Sequence, residues 1–168
     1  IDFTPGIFNI KFNEYKKDNQ VNTTIAQQLA LYVVIYSPIQ MAADLVEHYE
    51  ANPEPLQFIK DVGVDWEETK VINGEIGDYV TIARKERETG NWFVGGITDE
   101  NSITHKLNFD FLDDNETYEA IIYRDGDHAH WNDNPLDLII EKTELNKNSK
   151  LTLKLAKGGG FAISLKKK

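Results

Sequence analysis

The chain has 168 residues, 40% of them hydrophobic and 11% aromatic, which supports one domain with a real core and excludes a disordered tract. Its net charge of -10 is unevenly placed, with ten acidic residues from Asp44 to Asp78 against Lys60 and Lys70, so a phosphate-backbone partner is excluded. Cysteine is absent, which removes disulfide and thiol chemistry, and the longest apolar run, Leu29 to Tyr36, is eight residues, too short to cross a bilayer.

The sequence opens at Ile1 with Asp2-Phe3-Thr4-Pro5-Gly6 and no leader before it, as expected of a fragment or processed product. A polar loop is expected over residues 8–20. From Asn19 to Ala43, twenty-five residues carry no formal charge. Asn22-Thr23-Thr24 supplies N-cap residues for a helix that runs through Ile25, Leu29, Val33 and Tyr36 to Ser37, where Pro38 ends it. Ile39 to Ala43 then reads as a strand buried on both faces, as in a parallel sheet, with Asp44 at its tip. After an acidic loop, Pro53 and Pro55 start a short helix with Leu56, Phe58, Ile59 and Val62 toward a core and Gly63 as C-cap.

From Glu68 the period changes to alternation. Strands are expected at Thr69 to Asn73, Asp78 to Lys85, Trp92 to Thr98, Ile103 to Phe109, Thr117 to Tyr123, Leu136 to Leu145, Leu151 to Leu155 and Phe161 to Leu165. Turn material lies between them, including Asn73-Gly74, Asp125-Gly126 and Gly158-Gly159-Gly160. The fold class is therefore mainly β, an antiparallel β-sandwich of about eight strands. The Lys166-Lys167-Lys168 tail reads as a solvated terminus.

Among the carboxylates, Asp44 is the strongest single candidate for a site, because it follows a buried strand at the end where barrel enzymes carry reactive groups; capping the next loop is the equal alternative. Asp2 has a similar standing, and neither has a partner at the spacing that acid/base chemistry requires. His128 and His130 could approach a metal from one strand face, but too few further ligands surround them, and a solvated loop is favoured. Trp66, Trp92, Trp131, Tyr118 and Tyr123 raise the question of sugar stacking, with core burial the more common fate of such rings.

Several ordered motifs resemble the carboxyl-terminal part of glycoside hydrolase family 97: Asp2-Phe3-Thr4-Pro5-Gly6-Ile7-Phe8, Gln28 to Val34, Ser37 to Asp44, Phe58-Ile59-Lys60-Asp61-Val62, Asp65-Trp66-Glu67-Glu68-Thr69, Gly74 to Arg84 and Ile122-Tyr123-Arg124-Asp125-Gly126. The resemblance implies an exo-acting α-glycosidase on α-glucosides or α-galactosides, with residues 1–67 the last helix-strand-helix segment of a (β/α)8 barrel and residues 68–168 a carboxyl-terminal β-sandwich for packing or oligomerisation. It also implies an oligosaccharide substrate, calcium in the intact parent and export to a bacterial periplasm. The catalytic carboxylates and calcium ligands would lie outside this chain, leaving Asp2 and Asp44 as candidate lining of the substrate pocket. A sugar-binding sandwich with Trp92, Trp131 or Tyr123 as its platform is the alternative. An artefactual piece, associating through the uncovered apolar face of its first helix, is a third reading.

Overall fold

The computed structural model describes residues 2–11 and 19–168; residues 12–18 of the expected polar loop, and Ile1, lie outside the described residues. Among the described residues, three helices, α1 (Ile25–Val34), α2 (Val46–Glu50) and α3 (Pro53–Asp61), precede eight strands: β1 (Trp66–Glu75), β2 (Tyr79–Glu86), β3 (Trp92–Thr98), β4 (Ile103–Asn108), β5 (Thr117–Asp125), β6 (Leu138–Asn146), β7 (Lys150–Leu155) and β8 (Gly160–Lys167). All eight expected strands form. Of their expected turn residues, Asp125 closes β5 and Gly160 opens β8, while Asn73 and Gly74 are inside β1 and the β1–β2 connection is made at residues 76–78, because β1 bulges between Val71 and Asn73 and carries the pairing on to Glu75 opposite Tyr79.

Six strands form an antiparallel sheet in the order β1-β2-β3-β8-β5-β6, and β4 pairs with β7 in a second, two-stranded sheet. Alternation sorts the side chains of the central strands between two cores. Trp92 and Val94 of β3, Tyr118, Ala120 and Ile122 of β5, and Phe161, Ile163 and Leu165 of β8 meet Leu107, Leu153 and Leu155 of the small sheet. Phe93, Tyr123 and Ala162 point the other way, into a second core with Leu29, Tyr32 and Val33 of α1 and Phe58 of α3. The molecule is thus a sandwich backed by helices, and β3 and β8 are buried on both faces.

The apolar faces of α1 were expected to lack neighbours in this chain; the structure corrects this. Ile25, Ala26, Leu29, Ala30, Tyr32 and Val33 are buried, and the helix packs on β3 and β8. Its backbone comes close to the sheet because Gly95 has no side chain: a Cβ there would lie 2.7 Å from the Ala30 carbonyl oxygen and 2.9 Å from Val33 Cβ. α3 docks through Phe58, whose ring meets Tyr123 and Phe93 edge-on at 5.3 and 6.2 Å.

Charges from the sheet hold both ends of α1. At its N-terminus, Thr24 Oγ1 accepts the Gln27 N–H at 3.2 Å and donates to Asp125 Oδ1 at 2.6 Å. The other oxygen of Asp125 accepts the N–H groups of Ala156 and Gly160, each at 2.8 Å. Burial pushes this carboxyl up to about 6 despite those donors. At the C-terminus, Arg84 donates from Nε to the Val33 carbonyl at 2.6 Å, from Nη2 to that of Val34 at 3.5 Å and from Nη1 to Thr69 Oγ1 at 2.8 Å. The expected helix of residues 22–37 is consequently shorter, and Ile35 follows it in extended conformation.

Three further expectations are corrected. Ile39 to Ala43 is not a doubly buried strand: Ile39 is 58% and Met41 44% exposed, and the segment makes one parallel bridge, Gln40 to Phe3, with further bonds from the Met41 N–H to the Phe3 carbonyl and from the Ala43 N–H to the Pro5 carbonyl. Burial on both faces needs layers above and below, and the described residues supply neither. Gly63 does not cap α3; Val62 does, in extended conformation, and Gly63 is kept small by Glu86, whose Cγ would lie 2.8 Å from its Cβ. The stretch from Phe8, expected to be a polar loop, buries Phe8 and Ile10 in the helix-side core.

Gly95→Val is expected to lower stability by about 1–3 kcal/mol through overpacking under α1, whereas Val71→Thr on the exposed edge strand is expected to change it by under about 0.5 kcal/mol. Urea midpoints of the two variants at constant slope check this.

Candidate functional site

The described part of the amino-terminal segment is held around one carboxylate. Residues 3–5 and 40–43 run parallel, α1 lies between them in sequence, and Asp44 follows the second segment. Asp44 Oδ2 accepts the N–H groups of Phe8 and Asn9 at 2.7 and 2.6 Å, and Oδ1 accepts the Leu45 N–H at 2.8 Å and faces His48 Nδ1 at 2.5 Å. Its side chain is only 5% exposed. Burial raises its proton affinity, but the donors, the Asn9 N–H foremost and then His48, outweigh burial and hold the carboxyl below its ordinary value.

Two tyrosines extend the same knot. Tyr49 Oη accepts the Asp44 N–H at 3.1 Å and donates to the Gly6 carbonyl at 2.8 Å; Tyr32 Oη reaches the carbonyls of Pro5 and Met41 at 3.0 and 3.2 Å. Gly6 takes a φ of 87°, and a Cβ there would lie 2.4 Å from Tyr32 Oη, so both its backbone and its lack of a side chain are required. The Gly6 N–H is bound by Gln28 Oε1 at 3.0 Å. His48 and Tyr49, which complete this arrangement, were not singled out from sequence; the signal was the Asp44-to-His48 spacing, one helical turn.

Asp2 is exposed and precedes Phe3, whereas Asp44 lies beyond the end that pairs with Pro5. The parallel register therefore sets the two carboxylates at opposite ends of the paired segments and does not bring them together. The remaining candidates scatter. His128 has its N–H on Asp137 Oδ2 at 3.0 Å, while the His130 ring lies on Trp131 and its Nδ1 accepts the Asn132 N–H at 3.1 Å. Among the described residues no group of three or more His, Asp or Glu is placed to hold a metal ion, and the oxygens of Asp44 face N–H donors. This donor set does not fit calcium.

The aromatic candidates divide by burial. Trp92 and Tyr123, named as sugar platforms, are 1% and 2% exposed, so neither can stack on a ligand; Tyr118 and Trp66 are also core residues. The alternation of β3 and β5 turns these rings inward between layers. Only Trp131, in the loop between β5 and β6, keeps a partly open ring among the five.

The family described as glycosyl-hydrolase 97 C-terminal, oligomerisation, matches residues 65–166, and the chain belongs to that family. It is 38% identical over 143 residues to a retaining alpha-galactosidase of Bacteroides thetaiotaomicron, covering 85% of this chain, and 31% identical over 96 residues to a probable retaining alpha-galactosidase of Streptomyces bingchenggensis, covering 57%. The chain spans only 21% and 14% of the length of those two relatives. A glycoside hydrolase family 97 enzyme from Pseudoalteromonas sp. strain K8, solved in complex with panose and with acarbose, superposes with a TM-score of 0.95 at 50% identity over 99% of this chain and 26% of its own.

Asp44 binds its proton less readily in the folded than in the unfolded chain, so its contribution is complete above about pH 4 and is lost as pH falls through the lower folded value. Asp44→Asn is expected to cost about 1.5–3 kcal/mol at pH 7, the range for hydrogen bonds to a charged group, and progressively less toward pH 3. Urea unfolding at the two pH values measures the difference.

Proposed function

We propose that this chain is the carboxyl-terminal part of an exo-acting α-glycosidase that hydrolyses α-glucosides or α-galactosides, with residues 1–67 the end of its catalytic barrel and residues 68–168 a domain for packing and oligomerisation. The observation that carries the reading is the pair of parallel segments, residues 3–5 and 40–43, joined through α1. A parallel pair joined through a helix is the unit from which such barrels are built, and an otherwise antiparallel molecule has no use for one. The superposition on the Pseudoalteromonas enzyme covers this segment as well as the sandwich.

In this reading the catalytic acid and its partner carboxylate, and any calcium, come from barrel strands outside the chain. Asp44 stands at the carboxyl end of its segment, where such a pocket opens, and its role there is to lock the loop of Phe8 and Asn9 at the rim. Asp2, at the other end of the register, is the weaker lining residue. The curated relatives are named for α-galactosides and the solved relative was captured with panose and acarbose, so both substrate classes stay in the proposal. Among the described residues no helix is long and apolar enough to cross a membrane, and the periplasm is the proposed location.

The purified 168-residue chain is expected to turn over neither aryl α-glucosides nor aryl α-galactosides, because glycoside hydrolysis needs two carboxylates flanking one bond. Measurable release of the aryl alcohol by this chain overturns the assignment of the catalytic pair to other segments. Light scattering is expected to give a discrete oligomer; a monomer at all concentrations removes the oligomerisation role.

A further inference from the structure

Two hollows adjoin at the end of the sandwich where β2 begins and β3 ends. One, of about 380 Å³, is lined by Ile76, Asp78 and Tyr79 of the β1–β2 hairpin; the other, of about 310 Å³, is lined by Asn22, Gln27, Glu100 and Trp131. Thr98 and Asp99 line both, so the hollows adjoin, and each has a half-buried aromatic ring in its lining, Tyr79 in the first and Trp131 in the second.

The chemistry of the lining is selective. Among the described residues, four carboxylates, Glu75, Asp78, Asp99 and Glu100, line the two hollows, and no Lys, Arg or His does. An anionic ligand is repelled. A neutral polyol suits the site, since it offers hydroxyl donors to carboxylates and amide oxygens and apolar C–H faces to flat rings. Trp131 is preset for that role: its backbone N–H bonds to the Lys157 carbonyl at 3.2 Å, and the His130 ring stacks on one side of its ring with centroids 5.9 Å apart. Tyr79 is braced edge-on by His105 at 4.8 Å. Rings held this way lose little freedom when a ligand arrives.

We propose that the two adjoining hollows together form a groove that is a carbohydrate-binding site of the sandwich, separate from any catalytic pocket, taking a short neutral oligosaccharide with one pyranose on Trp131 and another toward Tyr79. The groove is built by this chain alone, so it stands or falls independently of the barrel assignment above.

Titration of the ¹⁵N-labelled chain with maltotriose, and with raffinose as a second neutral probe, tests it. The chain has three tryptophans, and the indole signal of Trp131 and the amides of Thr98 and Asp99 are expected to move while the indole signals of the buried Trp66 and Trp92 stay fixed. Trp131→Ala is expected to weaken binding at least about tenfold, as loss of an aromatic anchor does, and Trp131→Phe, which keeps a ring and guards against a folding defect, to weaken it less. No shift with either sugar overturns the proposal, as do shifts at Thr98 and Asp99 that persist at full affinity in Trp131→Ala. Movement of the same signals by a lysine-rich peptide but by neither sugar assigns the groove to a basic partner and also overturns it.

Discussion

The helix layer and the sheet are joined by charges that find their counterparts in a helix rather than in other charges. Asp125, at the end of β5, meets the N-terminus of α1 through Thr24, and Arg84 of β2 meets the last carbonyls of the same helix. Both side chains are buried, at 2% and 7% exposure, and among the described residues neither takes part in an ion pair. The aligned peptide dipoles of α1 present partial positive charge at the first end and partial negative charge at the second, so each buried charge faces the sign it needs. Arg84 adds the ring faces of Tyr36 and Trp66, 5.6 and 5.9 Å from its guanidinium carbon.

Other features of the chain fit this constraint. With its ends fixed by β2 and β5, α1 must cross β3 and β8 between them, and that path needs the missing side chain at Gly95 and the small Ala162. Tyr32, Gln28 and Gln40 then use the seated helix as a platform. They hold Pro5, Gly6 and the segment around Met41 by hydrogen bonds, and Asp44 closes the arrangement on Phe8 and Asn9. The Asp44 knot is therefore positioned by the sandwich, at one remove.

Strands were legible in the sequence because alternation is a local signal and each run is bounded by turn residues. The place of Asn73-Gly74 was not, since a bulge two residues earlier shifts the turn without altering the composition. Helix α1 was legible from its missing charge, but its neighbours were not: a run apolar on every side states that it is buried and not by what. One clue was available. The helix has no acidic residue in its first turn and no basic residue in its last. A helix without its own end charges is free to take them from elsewhere, and the arginine within β2 and the aspartate at the end of β5, Arg84 and Asp125, were candidates to supply them. Of the candidate site, Asp44 was legible through its place after the uncharged run; Asp2, in a separate motif, lies at the other end of the register. The aromatic rings could not be sorted by type alone, because only the strand register separates Trp92, turned between sheets, from Trp131 in a loop.

The borrowed end charges of α1 also order events in time. A chain is made from its amino end, so the uncharged stretch from Asn19 to Ala43 leaves the ribosome well before Arg84 and longer still before Asp125. During that interval the helix lacks both charges and the sheet beneath it, and a ten-residue helix is marginal on its own in water. The longest uncharged stretch of the chain is thus the part that must wait, and its helix gains its end charges and its floor only when the sandwich is complete.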